Sequence, residues 1–430
     1  MIKKIKNFFN NHDRKQIFAN FVSLSALNAF SFIFPLITVP YLTRVLGPEK
    51  FGIVSFALVI TQYFIIITNF GFAFSATQQI SINRENKKKI SEIFSAIISV
   101  KLFLTIICAI ILIILLLTLK QFKEDKLIFI CSFGIVIGDA LLPLWLFQGM
   151  EKMKFMTLVN FISKLLFTIL IFIFVRNIND YILVPLFTAA GYLIAGIISF
   201  IIAYNIFKLN IILPNIKTIK EQVTISWPIF ISTISINLYR NANTLLLGLI
   251  TNNYTLVGLY SSAEKIIKAL QSLVSPISDA LFPYLSRKFV NNNVHYNINY
   301  MMKLGKYYFI SLLPISILLI IFAHPIVNFV LGAKFSGASI NTQIMSFVVL
   351  LGSMNYFFGI LGLTNMGYKK QFMKFVLITG LISITSLFIF IPIWADKGAS
   401  TVMLISELIL FIILIQFFYK LNKKIIFLND

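Results

Sequence analysis

Charge is what this sequence has least of. Asp, Glu, Lys and Arg make up 12 % of its 430 residues, about half the share of a soluble globular domain. Acids are scarcest, 15 against 37 bases. The two cysteines, Cys108 and Cys131, lie in or beside apolar runs, which reads as apolar packing rather than a disulfide or metal pair. His12, His295 and His324 are far apart, so no His/Cys set has metal-ligand spacing. No G-x-x-x-x-G-K-S/T loop occurs, which excludes ATP hydrolysis by that route. No pair of loop carboxylates has glycosidase-like spacing. No cofactor is implied, beyond a coupling proton or sodium ion.

What fills the chain is hydrocarbon. AVILMFWYC account for 58 % of residues and Phe alone occurs 45 times; the mean hydropathy is +0.90. A bilayer span takes ~20 apolar residues, so about half of this chain suffices for a dozen spans. The fold class expected is an all-α integral membrane protein with almost nothing left for a soluble domain. The net charge of +22 would suggest nucleic acid in a soluble protein. Here the basic residues sit in short loops between apolar runs, which points to topology and anionic lipid headgroups, not nucleic acid.

Apolar runs bounded by charge, Gly or Pro predict twelve transmembrane helices, roughly at 17–40, 52–74, 91–118, 127–149, 156–175, 181–206, 223–250, 254–283, 304–331, 341–363, 372–393 and 399–419. Assigned to alternating sides, the N-terminus and even loops, with the span ends that adjoin them, hold 24 Lys and Arg and the odd loops 8, with five deeper inside spans. That bias predicts a multi-pass protein with both termini in the cytoplasm. Ile2, Ile5 and Phe9 with Lys3, Lys4 and Lys6 suit an interfacial helix over 1–15.

The chain also repeats itself. Gly52-Ile-Val-Ser-Phe-Ala57 matches Gly258-Leu-Tyr-Ser-Ser-Ala263 at an offset of 206. Lys152 with Phe155-Met156 matches Lys369 with Phe372-Met373, and Lys208-Leu-Asn210 matches Lys420-Leu-Asn422. The matches fall at equivalent points of two six-span halves. Six is even, so the halves share an orientation and would be related by an axis along the membrane normal. The domains expected are an N-terminal six-helix lobe over 1–206, a cytoplasmic linker over 207–222 and a C-terminal six-helix lobe over 223–430, around a central cavity.

Charges stand inside the predicted spans, where each costs roughly 3 kcal/mol on insertion scales. The cations are Lys101, Lys164, Arg240, Lys265 and Lys268; the acids are Asp139, Glu264, Asp279 and Glu407. Several lie on polar helical stripes. One runs Thr233, Asn237, Arg240, Thr244 with Asn241 at its edge; another Ser261, Lys265, Lys268, Ser272, Asp279; a third Thr157, Asn160, Lys164, Thr168. Ser55, Gln62 and Asn69 are spaced by seven. The cations form a candidate site for an anionic ligand, especially a phosphate, with Asn237, Asn241, Thr244, Asn160, Gln62 and Asn69 as polar lining. Asp139, Glu264, Glu407 and Asp279 are candidates for ion coupling. Plainer readings stand beside these: Lys265 and Lys268 snorkelling, a Glu264–Lys268 i,i+4 pair, Asp279 as a helix-end polar residue, and Asp139 and Glu407 pairing with a nearby cation.

Pro40-Tyr-Leu-Thr-Arg-Val-Leu-Gly-Pro-Glu-Lys-Phe-Gly-Ile-Val-Ser-Phe-Ala57 resembles the first-loop signature of Wzx-type polysaccharide flippases. Asn69-Phe-Gly-Phe-Ala-Phe-Ser-Ala-Thr77, Arg84 and Ser91-Glu-Ile-Phe94 continue the likeness, and Leu146-Phe-Gln-Gly-Met-Glu-Lys-Met153 is similar to that family's motif after span four. The resemblance implies the multidrug/oligosaccharidyl-lipid/polysaccharide exporter superfamily and alternating access through a cationic cavity. It implies a substrate, an undecaprenyl-pyrophosphate-linked oligosaccharide moved to the outer leaflet of the bacterial inner membrane for O-antigen, lipopolysaccharide or capsule assembly. A polysaccharide polymerase and a chain-length regulator would be partners. Arg240 would correspond to that family's recurrent cation of span seven. A drug or small-cation exporter would instead call for an acidic cavity, an O-antigen polymerase or ligase for a large outer loop, and a scaffold for glycan enzymes for no transport at all.

Overall fold

The computed structural model describes the backbone of residues 12–210, 212–290 and 294–429, and the side chains within it except those of 12–32, 235–236, 238–240, 275–280, 283, 287, 290 and 423–429. The segment proposed to lie on the membrane surface, 1–15, therefore falls almost wholly outside the described residues. Regular structure among the described residues is helical throughout. The helices are α1 (His12–Asn69), α2 (Phe72–Ile82), α3 (Lys87–Thr118), α4 (Lys120–Glu124), α5 (Lys126–Ala140), α6 (Leu144–Gly149), α7 (Met153–Phe174), α8 (Leu183–Phe207), α9 (Ile216–Thr251), α10 (Tyr254–Val290), α11 (Val294–Leu331), α12 (Ala338–Ile344), α13 (Ser346–Tyr356) and α14 (Lys369–Asn429). A π-helical stretch, Phe357–Thr364, continues α13.

Eight runs among the described residues are long and apolar enough to cross a membrane. Two of them are too long for one crossing: Ile33–Ile82 has 50 residues and Lys369–Asn422 has 54. At ~1.5 Å per residue either would span more than twice the hydrocarbon core. Each breaks once. α1 breaks at Gly47 (φ 71°, ψ 174°), just before Pro48, and α14 at Ala395 (φ 50°, ψ −123°). A left-handed φ suits glycine at the first break. Each run is thus two passes, and with the more polar α9 and α10 the passes number the twelve that the sequence predicts.

The packing forms two compact units, neither contiguous in sequence: Met1–Thr38 with Ala57–Ile234, and Val39–Phe56 with Ser235–Asp430. The bend of α1 therefore packs in the second unit. The start of α9 packs in the first, and helix begins at Ile216 rather than after residue 222, with Asn215 Oδ1 accepting from the Lys217 N–H at 3.0 Å.

In the first unit, Phe72, Ile80, Ile93, Phe94, Trp145 and Phe147 belong to one buried apolar cluster. The opposite face of α3, Ile106, Ile110, Ile113 and Leu117, is exposed at helical spacing, as a lipid-facing stripe must be. α5 and α8 touch backbone to backbone. A β-carbon on Gly138 would strike the Tyr192–Leu193 peptide, and one on Gly196 would strike the Gly138 carbonyl. Small residues let membrane helices approach this closely. α2 zips along the start of α9: Ser75 and Ser226 hydroxyls lie 2.6 Å apart, and Gln79 and Gln222 exchange amide hydrogen bonds of 2.9 and 2.8 Å.

In the second unit, Met301, Phe357, Phe358, Leu414 and Phe418 are among the buried cluster. The described part of the 39–56 segment is held by Phe51 edge-on to Phe335 and by Arg44 donating to the Phe329 carbonyl.

Candidate functional site

The first unit gathers charge at a helix break. α5 stops at Ala140, and Pro143 precedes α6. Proline has no N–H, so the carbonyl four residues back, that of Asp139, lacks its usual i+4 donor and accepts from the Leu142 N–H at 3.1 Å instead. The Lys101 ammonium donates to that carbonyl at 3.0 Å and stands 4.0 Å from the Asp139 carboxylate. The Asn69 amide donates to the same carboxylate at 2.8 Å. Asn69 ends α1 at a second break, where Phe70 (φ 44°) and Gly71 (φ 78°) are left-handed. Lys101 is only 1 % exposed. A buried ammonium survives only with partners, and here a carbonyl, a carboxylate and an amide form one closed network. The sequence placed Lys101 with the ligand-binding cations and Asp139 with the coupling acids; the structure brings the two together with Asn69.

α7 carries the remaining first-unit candidates. Lys164 is half-buried. Asn160 and Thr157 donate back to the carbonyls of Met156 and Met153, at 3.0 and 3.2 Å, the local bonding polar side chains adopt in apolar helices. Gln62, on α1, is exposed.

In the second unit α10 presents Glu264, Lys265 and Lys268. Glu264 is 7 % exposed and pairs with Lys268 at 2.8 Å. This is the i,i+4 pair the spacing allowed. Lys265 is placed differently. Its ammonium lies over the Phe51 ring, 4.2 Å from the centroid, and 3.4 Å from the Ser55 hydroxyl. No carboxylate lies within salt-bridge distance of it among the described residues. A ring face and a hydroxyl hold a cation while leaving donors for an anion.

The α9 stripe is partly visible. Asn237 and Asn241 are half-buried and Thr244 is buried. The side chains of Arg240 and Asp279 lie outside the described residues. Beside the stripe, Asn243 donates to the Tyr260 hydroxyl at 2.8 Å, and that hydroxyl donates to Met403 Sδ at 3.4 Å. Glu407 accepts from the Asn355 amide at 2.6 Å, next to the π-helical stretch, a feature frequent at functional sites. Asn355, Asn243 and Phe51 went unnoticed in the sequence. Each is one polar or aromatic residue in an apolar run, and only its spatial neighbour gives it meaning.

The motifs quoted for the resemblance also meet. Arg84 donates through Nε to the Gly149 carbonyl at 2.8 Å and through its outer nitrogen to Glu151. Ser91 and Ser95 accept from the N–H groups of Asn210 and Ile212, both at 3.2 Å. Arg84, Ser91 and the 146–153 motif thus tie helix ends and the chain after α8 together within the first unit.

Residues 17–289 match the sequence model of a family described as polysaccharide biosynthesis protein. The chain belongs to that family. A protein of Escherichia coli (strain K12), provisionally named an O-antigen transporter, is 30 % identical over 418 residues, 97 % of this chain and all of the relative. A relative from Shigella dysenteriae with the same name is 35 % identical over 271 residues, 62 % of this chain and 67 % of its own. Among solved structures, the lipid II flippase MurJ in an inward closed conformation superposes with a TM-score of 0.71 at 15 % identity, covering 94 % of this chain and 92 % of its own. An inward-facing multidrug-resistance MATE transporter of the MOP superfamily gives 0.68 at 13 %, covering 91 % and 95 %. At such identities the likeness is one of fold, the all-helical transporter architecture expected from the sequence. The family member described here is a multi-pass membrane transporter of polysaccharide biosynthesis, not an enzyme.

Proposed function

We propose that the chain is a flippase for lipid-linked oligosaccharide, carrying undecaprenyl-pyrophosphate-linked glycan repeat units from the cytoplasmic to the outer leaflet of the bacterial plasma membrane by alternating access. The observation that carries the reading is the match, end to end, to a relative named for O-antigen transport, joined to the fold of a lipid flippase. Both termini are assigned to the cytoplasm by the excess of Lys and Arg on that side.

The chemistry supports it. A glycan hydroxyl moved into hydrocarbon loses its hydrogen bonds to water, so the headgroup needs a polar route while the polyprenyl tail stays in lipid. α7, α9 and α10 carry polar stripes along otherwise apolar helices. Lys265 offers an ammonium held by a ring and a hydroxyl, a placement suited to receiving a phosphate. A pyrophosphate with about two negative charges gains roughly 4–5 kcal/mol on leaving an interior negative by 100 mV. Coupling to proton or sodium would add to that drive, through Asp139, Glu264 or Glu407. A polymerase and a chain-length regulator would receive the exported unit.

The test is complementation. In a strain deleted for its own O-antigen transporter and supplying a compatible repeat unit, the wild-type chain restores surface polysaccharide, seen as a ladder on a gel. Absence of the ladder, with the protein inserted and the repeat unit made, overturns the reading.

A further inference from the structure

A cavity of about 440 Å³ lies at the far end of α3, lined by Ile113, Leu116, Leu117, Lys123 and Lys126. That volume is within the range of small-ligand pockets. Ile113 and Leu117 are exposed and end the lipid-facing stripe of α3. Beyond Thr118 the chain turns back, and α4 and the first residue of α5 bring the two lysines to the same cavity. The turn is fixed from behind. Phe122 is buried and packs on Phe129, with ring centroids 4.6 Å apart, and Asp125 accepts from the Tyr181 hydroxyl at 2.7 Å. Lys120 pairs with Glu124 at 3.8 Å. The two acids of the turn are thus engaged elsewhere. Among the described residues, no carboxylate lies within salt-bridge distance of Lys123 or Lys126. The Lys/Arg bias assigns this turn to the outside, yet Lys120, Lys123 and Lys126 crowd into it. Topology gains nothing from cations on that side, so the free pair calls for another reason.

We infer that this cavity is a site for one anionic phospholipid of the outer leaflet, with an acyl chain on Ile113, Leu116 and Leu117 and the phosphate at Lys123 and Lys126. An unfilled void in apolar surroundings forfeits dispersion contacts, and an aliphatic wall takes them up from a hydrocarbon chain. Each ammonium has three donors for phosphate oxygens, and a hydrogen bond between ions is about twice as strong as one between neutral groups. Charge decides the class of headgroup. A zwitterionic lipid brings an ammonium of its own, which two fixed cations repel; an anionic lipid such as phosphatidylglycerol brings none. The lining holds no ring face, amide or hydroxyl with which to read a sugar, which sets the site apart from one for the transported glycan. The inference does not rest on the flippase reading.

The experiment is photo-cross-linking of the full chain in phosphatidylcholine nanodiscs that contain a small fraction of a probe lipid. The probe carries a diazirine on one acyl chain and has either a phosphatidylglycerol or a phosphatidylcholine headgroup. Peptide mass spectrometry reads insertion into residues 113–117, normalised to insertion at Ile106 and Ile110 on the same lipid-facing stripe. The normalised labelling should be about fivefold higher with the phosphatidylglycerol probe, the preference expected of lysines beside an anionic headgroup. Lys123→Gln with Lys126→Gln should bring it down to the phosphatidylcholine level. Lys123→Arg with Lys126→Arg, which keeps both charges, should hold it near the wild-type value. Unaltered melting temperatures show that the variants remain folded. Equal labelling by the two probes overturns the proposal, as does a phosphatidylglycerol preference that survives the paired Gln substitutions. Cross-links from residues 113–117 to a second copy of the chain in place of lipid also overturn it, and would make the cavity part of a contact between copies.

Discussion

Gly52 and Gly258 pack backbone against backbone, each into the turn that precedes the other. A β-carbon on Gly52 would overlap the carbonyl oxygen of Tyr254 and stand 2.8 Å from the Gly258 nitrogen; one on Gly258 would overlap the carbonyl oxygen of Pro48 and stand 3.2 Å from the Gly52 nitrogen. Tyr254 is four residues before Gly258, and Pro48 is four before Gly52. The contact is reciprocal, like that across a two-fold axis, and the glycines open the two copies of the repeated Gly-x-x-Ser-x-Ala motif. The internal repeat thus brings its own two copies into contact within the second unit.

Alanine at either glycine should force these helices apart. Overpacking a tight contact costs about 1–3 kcal/mol, so Gly52→Ala and Gly258→Ala should each lower the melting temperature of the purified protein by several degrees. The double variant should lose less than the sum, because one separation relieves both clashes. Full additivity would contradict the reciprocal contact.

Lys101→Ala should be among the most damaging single changes in the first unit. It leaves the Asp139 carbonyl with the Leu142 N–H alone and deprives a partly buried carboxylate of its cation. Breaking a buried pair from one side costs about 3–5 kcal/mol; with Asp139 about 20 % exposed, the lower end is expected. Lys101→Met with Asp139→Asn should recover part of the loss. Thermal unfolding in detergent decides it.

Arg84→Lys should fail to replace Arg84. The guanidinium reaches the Gly149 carbonyl and Glu151 from two nitrogens, and an ammonium lacks that fork. Both Arg84→Lys and Arg84→Ala should lower the level of inserted protein. Equal levels for Arg84→Lys and wild type, in a membrane-fraction blot, would show that charge alone suffices.

Lys265 and Lys268 should behave differently despite being three residues apart. Lys268→Ala strands the buried Glu264 and should reduce stability, by less than a fully buried pair because Lys268 is 41 % exposed. Lys265→Ala removes a cation held by Phe51 and Ser55 and should leave stability nearly unchanged while abolishing complementation. Lys265→Arg should retain part of it. A melting curve beside the polysaccharide ladder separates the two effects.

Much of this fold was legible before any coordinates. Hydrophobic run length gives the number of passes because the bilayer sets the length of a spanning helix. The repeat at Gly52 and Gly258 was legible too, though not that the copies would touch. The partnerships were not. Nothing local says that Lys101 caps a carbonyl freed by Pro143, forty-two residues on, or that Phe51 lies beneath Lys265. Those pairings are set by helix rotation and depth, which sequence spacing constrains only within a single helix. The unit boundaries were hidden for a related reason. A break at Gly47 reads as a loop, and only packing shows that residues 39–56 join the second unit.

Whether this chain moves a phosphate-linked glycan across the membrane is read directly from leaflet accessibility. Spheroplasts that make the repeat unit but lack polymerase would be treated with a membrane-impermeant reagent that oxidises and tags glycan diols. With the chain present, most of the lipid-linked glycan should be tagged, and with Lys265→Ala it should fall to the level of cells lacking any flippase. Equal tagging with and without the chain, in cells holding the same amount of lipid-linked glycan, would contradict transport of that glycan by this chain.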